Sequence, residues 1–75
     1  MKIPSRLIIK VAMQLLEEQG QIVHIELHER IEEILGRQLT VNDKRRITQI
    51  LNRDFVQKKA EKDRETYEII RIFTL

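Results

Sequence analysis

Thr40-Val41-Asn42-Asp43-Lys44-Arg45-Arg46-Ile47-Thr48-Gln49-Ile50-Leu51-Asn52-Arg53-Asp54-Phe55-Val56-Gln57-Lys58-Lys59 is the stretch on which the fold turns. Thr40 is a good helix N-cap, and Asp43 three residues on resembles the second half of a capping box. A helix from about 41 to 53 follows, with Ile47, Ile50 and Leu51 as its inward face. At Phe55 the period changes from that of a helix to that of a strand.

Upstream, Leu7, Ile8, Val11, Ala12, Leu15 and Leu16 form a two-wide apolar stripe, which predicts a first helix over about 4–19. Pro4 suits its start and Gly20 its left-handed end. Residues 21–25 are β-branched and read as a short strand or extended link. A second helix is expected over about 26–35, with Leu27, Ile31, Ile34 and Leu35 facing inward and Gly36 closing it. Gly36-Arg37-Gln38-Leu39 is then a tight turn with one apolar anchor, Leu39.

Downstream, Phe55–Ala60 and Thr66–Phe73 are rich in β-branched and aromatic residues, and hold all three aromatics of the chain. Around the charged tip Glu61–Glu65 they read as an antiparallel hairpin over about 55–73. The competing local reading is one continuous helix through 58–68, since Lys, Ala and Glu favour helix. A hairpin of two strands is marginal alone, and residues 21–25 offer it a third. The expected fold class is α+β, with three helices and a C-terminal β-hairpin in one domain.

Length and composition bound the function. The 75 residues are 41% apolar and 35% charged, enough for one modest core under a charged surface. With no cysteine there is no disulfide framework and no thiolate metal site. The longest apolar runs are three residues, so no membrane span is expected, and no signal-peptide pattern is legible, which makes a cytoplasmic location the default. The formal charge of +2 hides a polarity. Residues 1–36 are net acidic, residues 37–64 carry nine basic against four acidic side chains, and residues 65–75 are again slightly acidic. A cationic end of this kind attracts phosphate backbones.

The order of elements resembles the winged helix-turn-helix, and the likeness is sharpest in Arg45–Lys59. In winged-helix repressors of the multiple-antibiotic-resistance type, a recognition helix is often followed by a Gly, two apolar residues and a basic strand leading to the wing. Ile47 and Ile50 look like core positions of that helix, Phe55-Val56 like the start of the wing, and Lys58-Lys59 like its basic strand. Asp54 stands where those proteins usually have Gly, and Asp tolerates the left-handed turn expected there. The chain carries no counterpart of their dimerisation helices. The resemblance implies a three-helix domain with a β-hairpin wing that binds double-stranded DNA as a small transcriptional regulator.

Helical geometry turns Arg45, Gln49 and Asn52 outward on the third helix, with Asn42 and Arg53 beside them. No Asp or Glu lies on this outward face. Arg pairs with guanine O6 and N7, and Asn or Gln with adenine N6 and N7, in the major groove. Lys44, Arg46 and Arg37 are better placed for the phosphate backbone. Lys58, Lys59, Lys62 and Arg64 on the wing are candidates for phosphates or the adjacent minor groove. Glu61, Asp63 and Glu65 at the tip favour internal salt bridges instead.

Other chemistry finds little support. His24, His28 and Glu32 would form a metal-binding stripe only on one continuous helix, and His24 is expected to precede that helix. Ser5 is the only serine, and Gly20 and Gly36 are the only glycines, so neither a nucleophile elbow nor a phosphate-cradling loop is present. The expectation is a protein without enzymatic activity, cofactor or metal. Ile9 and Met13 on the first helix and one face of Ile69–Leu75 exceed the needs of a three-helix core, which points to a homodimer. The alternative function is a winged-helix adaptor that binds protein, or an RNA-binding module, although the third helix offers no aromatic for stacking unpaired bases.

Overall fold

The structure is a computed structural model that describes residues 2–75. Helix α1 spans Ser5–Gln19 and buries Ile8, Val11, Ala12 and Leu15. Pro4 caps its start, where its carbonyl accepts the N–H groups of Leu7 and Ile8. Gly20, at φ 76°, ends it in the left-handed conformation and donates its N–H to the Leu16 carbonyl at 2.7 Å. That φ strains any residue with a Cβ, which is why the helix stops at a glycine.

Strand β1 is only Ile22–Val23, and α2 follows at once as His24–Leu35. The strand is shorter than the β-branched run 21–25 predicts. The reason lies at His24. Val23 pairs with Ile72 of the last strand, but the next N–H on that strand, Arg71's, donates to the His24 imidazole Nδ1 at 2.9 Å. The side chain thus takes the place of a backbone partner and frees residue 24 to enter the helix. Ile34, expected inward, is 54% exposed instead. It sits in the last turn of α2, where Leu35 and, beyond Gly36, Leu39 supply the contacts with the core.

Helix α3 spans Val41–Asp54 and starts with the capping box legible in the sequence. Thr40 Oγ1 accepts the Asp43 N–H at 3.1 Å, and Asp43 Oδ2 accepts the Thr40 N–H at 3.0 Å. Ile47, Ile50 and Leu51 face the core as expected. The end of α3 differs from expectation. Asp54 stays helical, the capping residue is the extended Phe55, and no left-handed residue is used. Phe55 is buried and its N–H still reaches the Leu51 carbonyl at 2.9 Å, so an aromatic anchor ends the helix and the left-handed turn expected at Asp54 does not form.

Strands β2 (Val56–Lys62) and β3 (Ile69–Thr74) form the hairpin, and the continuous-helix alternative does not occur. The sheet is antiparallel in the order β1-β3-β2, which supplies the third strand. Its register slips between Gln57 and Lys59, a bulge at Lys58. The hairpin turn is longer than expected. Thr66, Tyr67 and Glu68 belong to it rather than to the strand. Asp63 Oδ1 accepts the N–H of Glu65 at 2.8 Å, and Tyr67 adopts φ 60°, a left-handed position unusual for an aromatic.

One hydrophobic cluster joins all three helices to β1 and β3, with Phe73 fully buried among Ile8, Leu15, Ile22, Leu27, Ile31, Ile47 and Leu51. Burying side chains of this size contributes about 1.5–3 kcal/mol each. Strand β2, at the edge of the sheet, is exposed along its whole length, while β3 joins the cluster through its end. Among the described residues, no helix is long and apolar enough to cross a membrane.

Candidate nucleic-acid interface

The outer face of α3 is set by the burial of its inner face. With Ile47, Ile50 and Leu51 held in the core, Asn42, Lys44, Arg45, Gln49 and Asn52 are all exposed. Among the described residues, none of these five side chains makes an ion pair or hydrogen bond, so their donors face solvent. Both carboxylates of the helix are turned aside. Asp43 is buried under the capping turn, where the Thr40 N–H and then the Arg37 guanidinium hold its carboxyl down at about 2. Asp54 binds the guanidinium of Arg53 through two hydrogen bonds of 3.1 and 2.9 Å, which also lower its pKa. The face is therefore cationic and amide-bearing with no carboxylate competing on it.

The remaining sequence-predicted residues divide. Arg37 lies in the turn before α3 and is drawn to Asp43 at 2.9 Å and to the Gln38 carbonyl at 3.1 Å. Arg46, expected on the phosphate backbone, is half-buried. Its Nε donates to the Ile3 carbonyl at 3.0 Å and its Nη2 to Ser5 Oγ at 2.6 Å, so it ties the start of α1 to α3. Arg53 is held by its neighbour Asp54. On the ribbon, Lys58 and Arg64 are exposed and make no ion pair among the described residues. Lys59 pairs with Glu61 at 2.9 Å, and the Lys62 ammonium lies 5.4 Å from the Tyr67 ring centre.

Two residues of the outer face escaped the sequence reading. Val41, the first residue of α3, is 68% exposed, and Thr48 is half-exposed. With Lys44, Arg45 and Gln49 they follow the i, i+3, i+4, i+7, i+8 spacing of one helical stripe and line a shallow depression of about 390 Å³. Another depression, lined by Lys2, Asn42, Asp43, Arg46, Arg45 and Gln49, lies on the opposite flank. Arg45 and Gln49 border both and so form the ridge between them. The spacing of Val41 was visible in the sequence, but an apolar residue carries no hydrogen-bonding signal for a base edge.

Contrary to expectation, His24 lies inside α2, and its ring meets that of His28 edge-on at 5.4 Å between centres. Burial lowers both pKa values, that of His28 to about 4. The His28 Nε2 is buried and has no hydrogen-bond partner. Glu32 is committed elsewhere, since its Oε2 accepts the Leu39 N–H at 2.8 Å and steadies the turn before α3. Among the described residues, no three His, Asp or Glu side chains are grouped to hold a metal ion.

No family model matches the chain, nor does any curated protein or solved structure.

Proposed function

We propose that this chain is a winged helix-turn-helix domain that binds double-stranded DNA, with α3 in the major groove and the β2–β3 ribbon as the wing on the backbone or minor groove. One observation carries the reading. The outer face of α3 presents Lys44, Arg45, Gln49 and Asn52 free of internal partners, while both carboxylates of that helix are tied back. With Asp43 in the cap and Asp54 paired to Arg53, neither carboxylate opposes phosphates laid along that face. Arg45 and Gln49 read base edges, Lys44 and Lys58 meet phosphates, and Arg64 at the ribbon tip extends the cationic track. Arg46 serves the fold rather than the nucleic acid, because its donors are already used.

In this reading the protein is a small transcriptional regulator that acts as a homodimer. Met13 on α1, Ile69 on β3 and Leu75 just after it are large exposed apolar residues, the surface a second copy would cover, with the half-buried Ile9 beside Met13. To read two half-sites, such a pair would have to set its two α3 helices about 34 Å apart, one turn of DNA. Sedimentation of the free protein tests the pairing.

The test of binding is a gel shift on a random duplex pool across a salt series. Affinity should fall steeply between low and moderate salt as released counterions oppose rebinding. No retardation at the lowest salt overturns the proposal and favours a protein-binding adaptor. Equal retention of single-stranded RNA would move the reading to an RNA module.

A further inference from the structure

The depression on the outer face of α3 is out of character with its surroundings. The face is cationic, yet the exposed atoms of the hollow between Val41, Lys44, Arg45, Thr48 and Gln49 are mostly carbon. Val41 opens α3 and stands 68% exposed, one of several large apolar residues left at the surface. Neither its backbone nor the capping box requires an aliphatic side chain there, since Thr40 and Asp43 make the cap between them. The opposite flank of the Arg45–Gln49 ridge is lined by Lys2, Asn42 and Arg46 and is mixed in character. The ridge is thus mostly hydrocarbon on one side and of mixed polarity on the other.

We propose that this hollow receives the C5-methyl group of thymine, so that Val41 and Thr48 select a T·A pair next to the base read by Arg45 or Gln49. The inference rests on the DNA-binding reading above and specifies what α3 reads. The chemistry commits the occupant. Of the groups that the four unmodified bases present in the major groove, the thymine methyl is the only alkyl group; the others are hydrogen-bond donors, acceptors or flat ring C–H edges. Lys44 and Arg45 border the same hollow, so a partner seated there brings phosphates or acceptors to its rim and a methyl to its floor. A duplex carries both, and the charge complementarity is against an aliphatic protein surface.

The experiment separates this inference from its premise. A duplex selected from a random pool is synthesised with each thymine replaced in turn by deoxyuridine, which removes only the methyl group. Wild-type protein should lose about three- to fivefold in affinity at one position, the effect of one buried methyl. Val41→Ala should bind the thymine duplex more weakly and lose the distinction between thymine and uracil at that position. Val41 is exposed and Ala is a better helix former, so the variant keeps the fold. Specific binding with no uracil-sensitive position overturns the inference and leaves the DNA reading standing. A uracil effect that persists unchanged in Val41→Ala also overturns it. Absence of any duplex binding removes both.

Discussion

The Arg37 guanidinium donates to Asp43 Oδ2 at 2.9 Å across the turn that joins α2 to α3. The same oxygen accepts the Thr40 N–H, so the carboxylate faces back into the turn and is nearly buried. One acid is thereby removed from the first turn of α3, and Val41, Asn42, Lys44 and Arg45 are left to define its outer surface. The cap that starts the helix and the device that keeps its face cationic are one set of bonds.

Thr40→Ala removes the acceptor for the Asp43 N–H and should lower stability by about 1 kcal/mol, read by denaturant unfolding with an unchanged slope. The acid end of the pH profile follows from Asp43. Its pKa is held at about 2, below the usual 3.8, by the Thr40 N–H first and Arg37 second. Its contribution is complete above about 3.8 and is lost as pH falls through 2. Asp43→Asn should flatten that acid limb. A profile as steep as the wild type's would show that the pair does not hold the turn.

His28 governs a higher window. Burial first, then the charges of His24 and Lys44, lower its pKa from 6.5 to about 4, while Glu32 opposes them. The unfolded chain therefore binds more protons between those values. Stability should be full above pH 6.5, decline on acidification and level off below about 4. Allowing for its partial exposure, the loss is on the order of 1–2 kcal/mol. His28→Gln should remove most of the difference between pH 7.5 and pH 4.5 in thermal melting. An unaltered difference assigns it to other groups.

Arg46 separates folding from recognition. Arg46→Ala deletes the bonds to the Ile3 carbonyl and Ser5 Oγ and should lower stability by about 1.5–3 kcal/mol. Its ratio of cognate to scrambled duplex affinity, measured where the variant is fully folded, should match the wild type. A variant of normal stability and lost specificity would return Arg46 to the reading face.

On the ribbon, Lys58→Ala should weaken all duplexes alike and reduce the slope of log affinity against log salt by about one. Lys59→Ala should change that slope less, because Glu61 already neutralises Lys59. Equal slopes in the two variants would mean that the Lys59–Glu61 pair opens on binding.

Much of this was legible where the signal is local. The stripe from Leu7 to Leu16 gave α1, Gly20 and Gly36 gave two helix ends, and Thr40 with Asp43 gave the cap of α3, because each works within a few residues of chain. The hairpin was legible from its β-branched runs. What the sequence hid depends on partners far along the chain. His24 enters α2 because Arg71, forty-seven positions away, supplies a donor for its ring. Arg46 is taken by Ile3 and Ser5, which no spacing within α3 reveals. Phe55 ends α3 through burial, so the left-handed turn read at Asp54 is not needed. Tyr67 reads as a strand residue by composition, yet the Asp63 turn bends the chain before it arrives.

The central claim is that the outer face of α3 reads base pairs, and the affinity ratio between a selected duplex and its scrambled counterpart tests it most directly. For wild-type protein the ratio should be large, and Arg45→Ala and Gln49→Ala should each reduce it by the equivalent of about 1–3 kcal/mol with little change on the scrambled duplex. A ratio that neither substitution moves, in variants as stable as the wild type, would contradict the account.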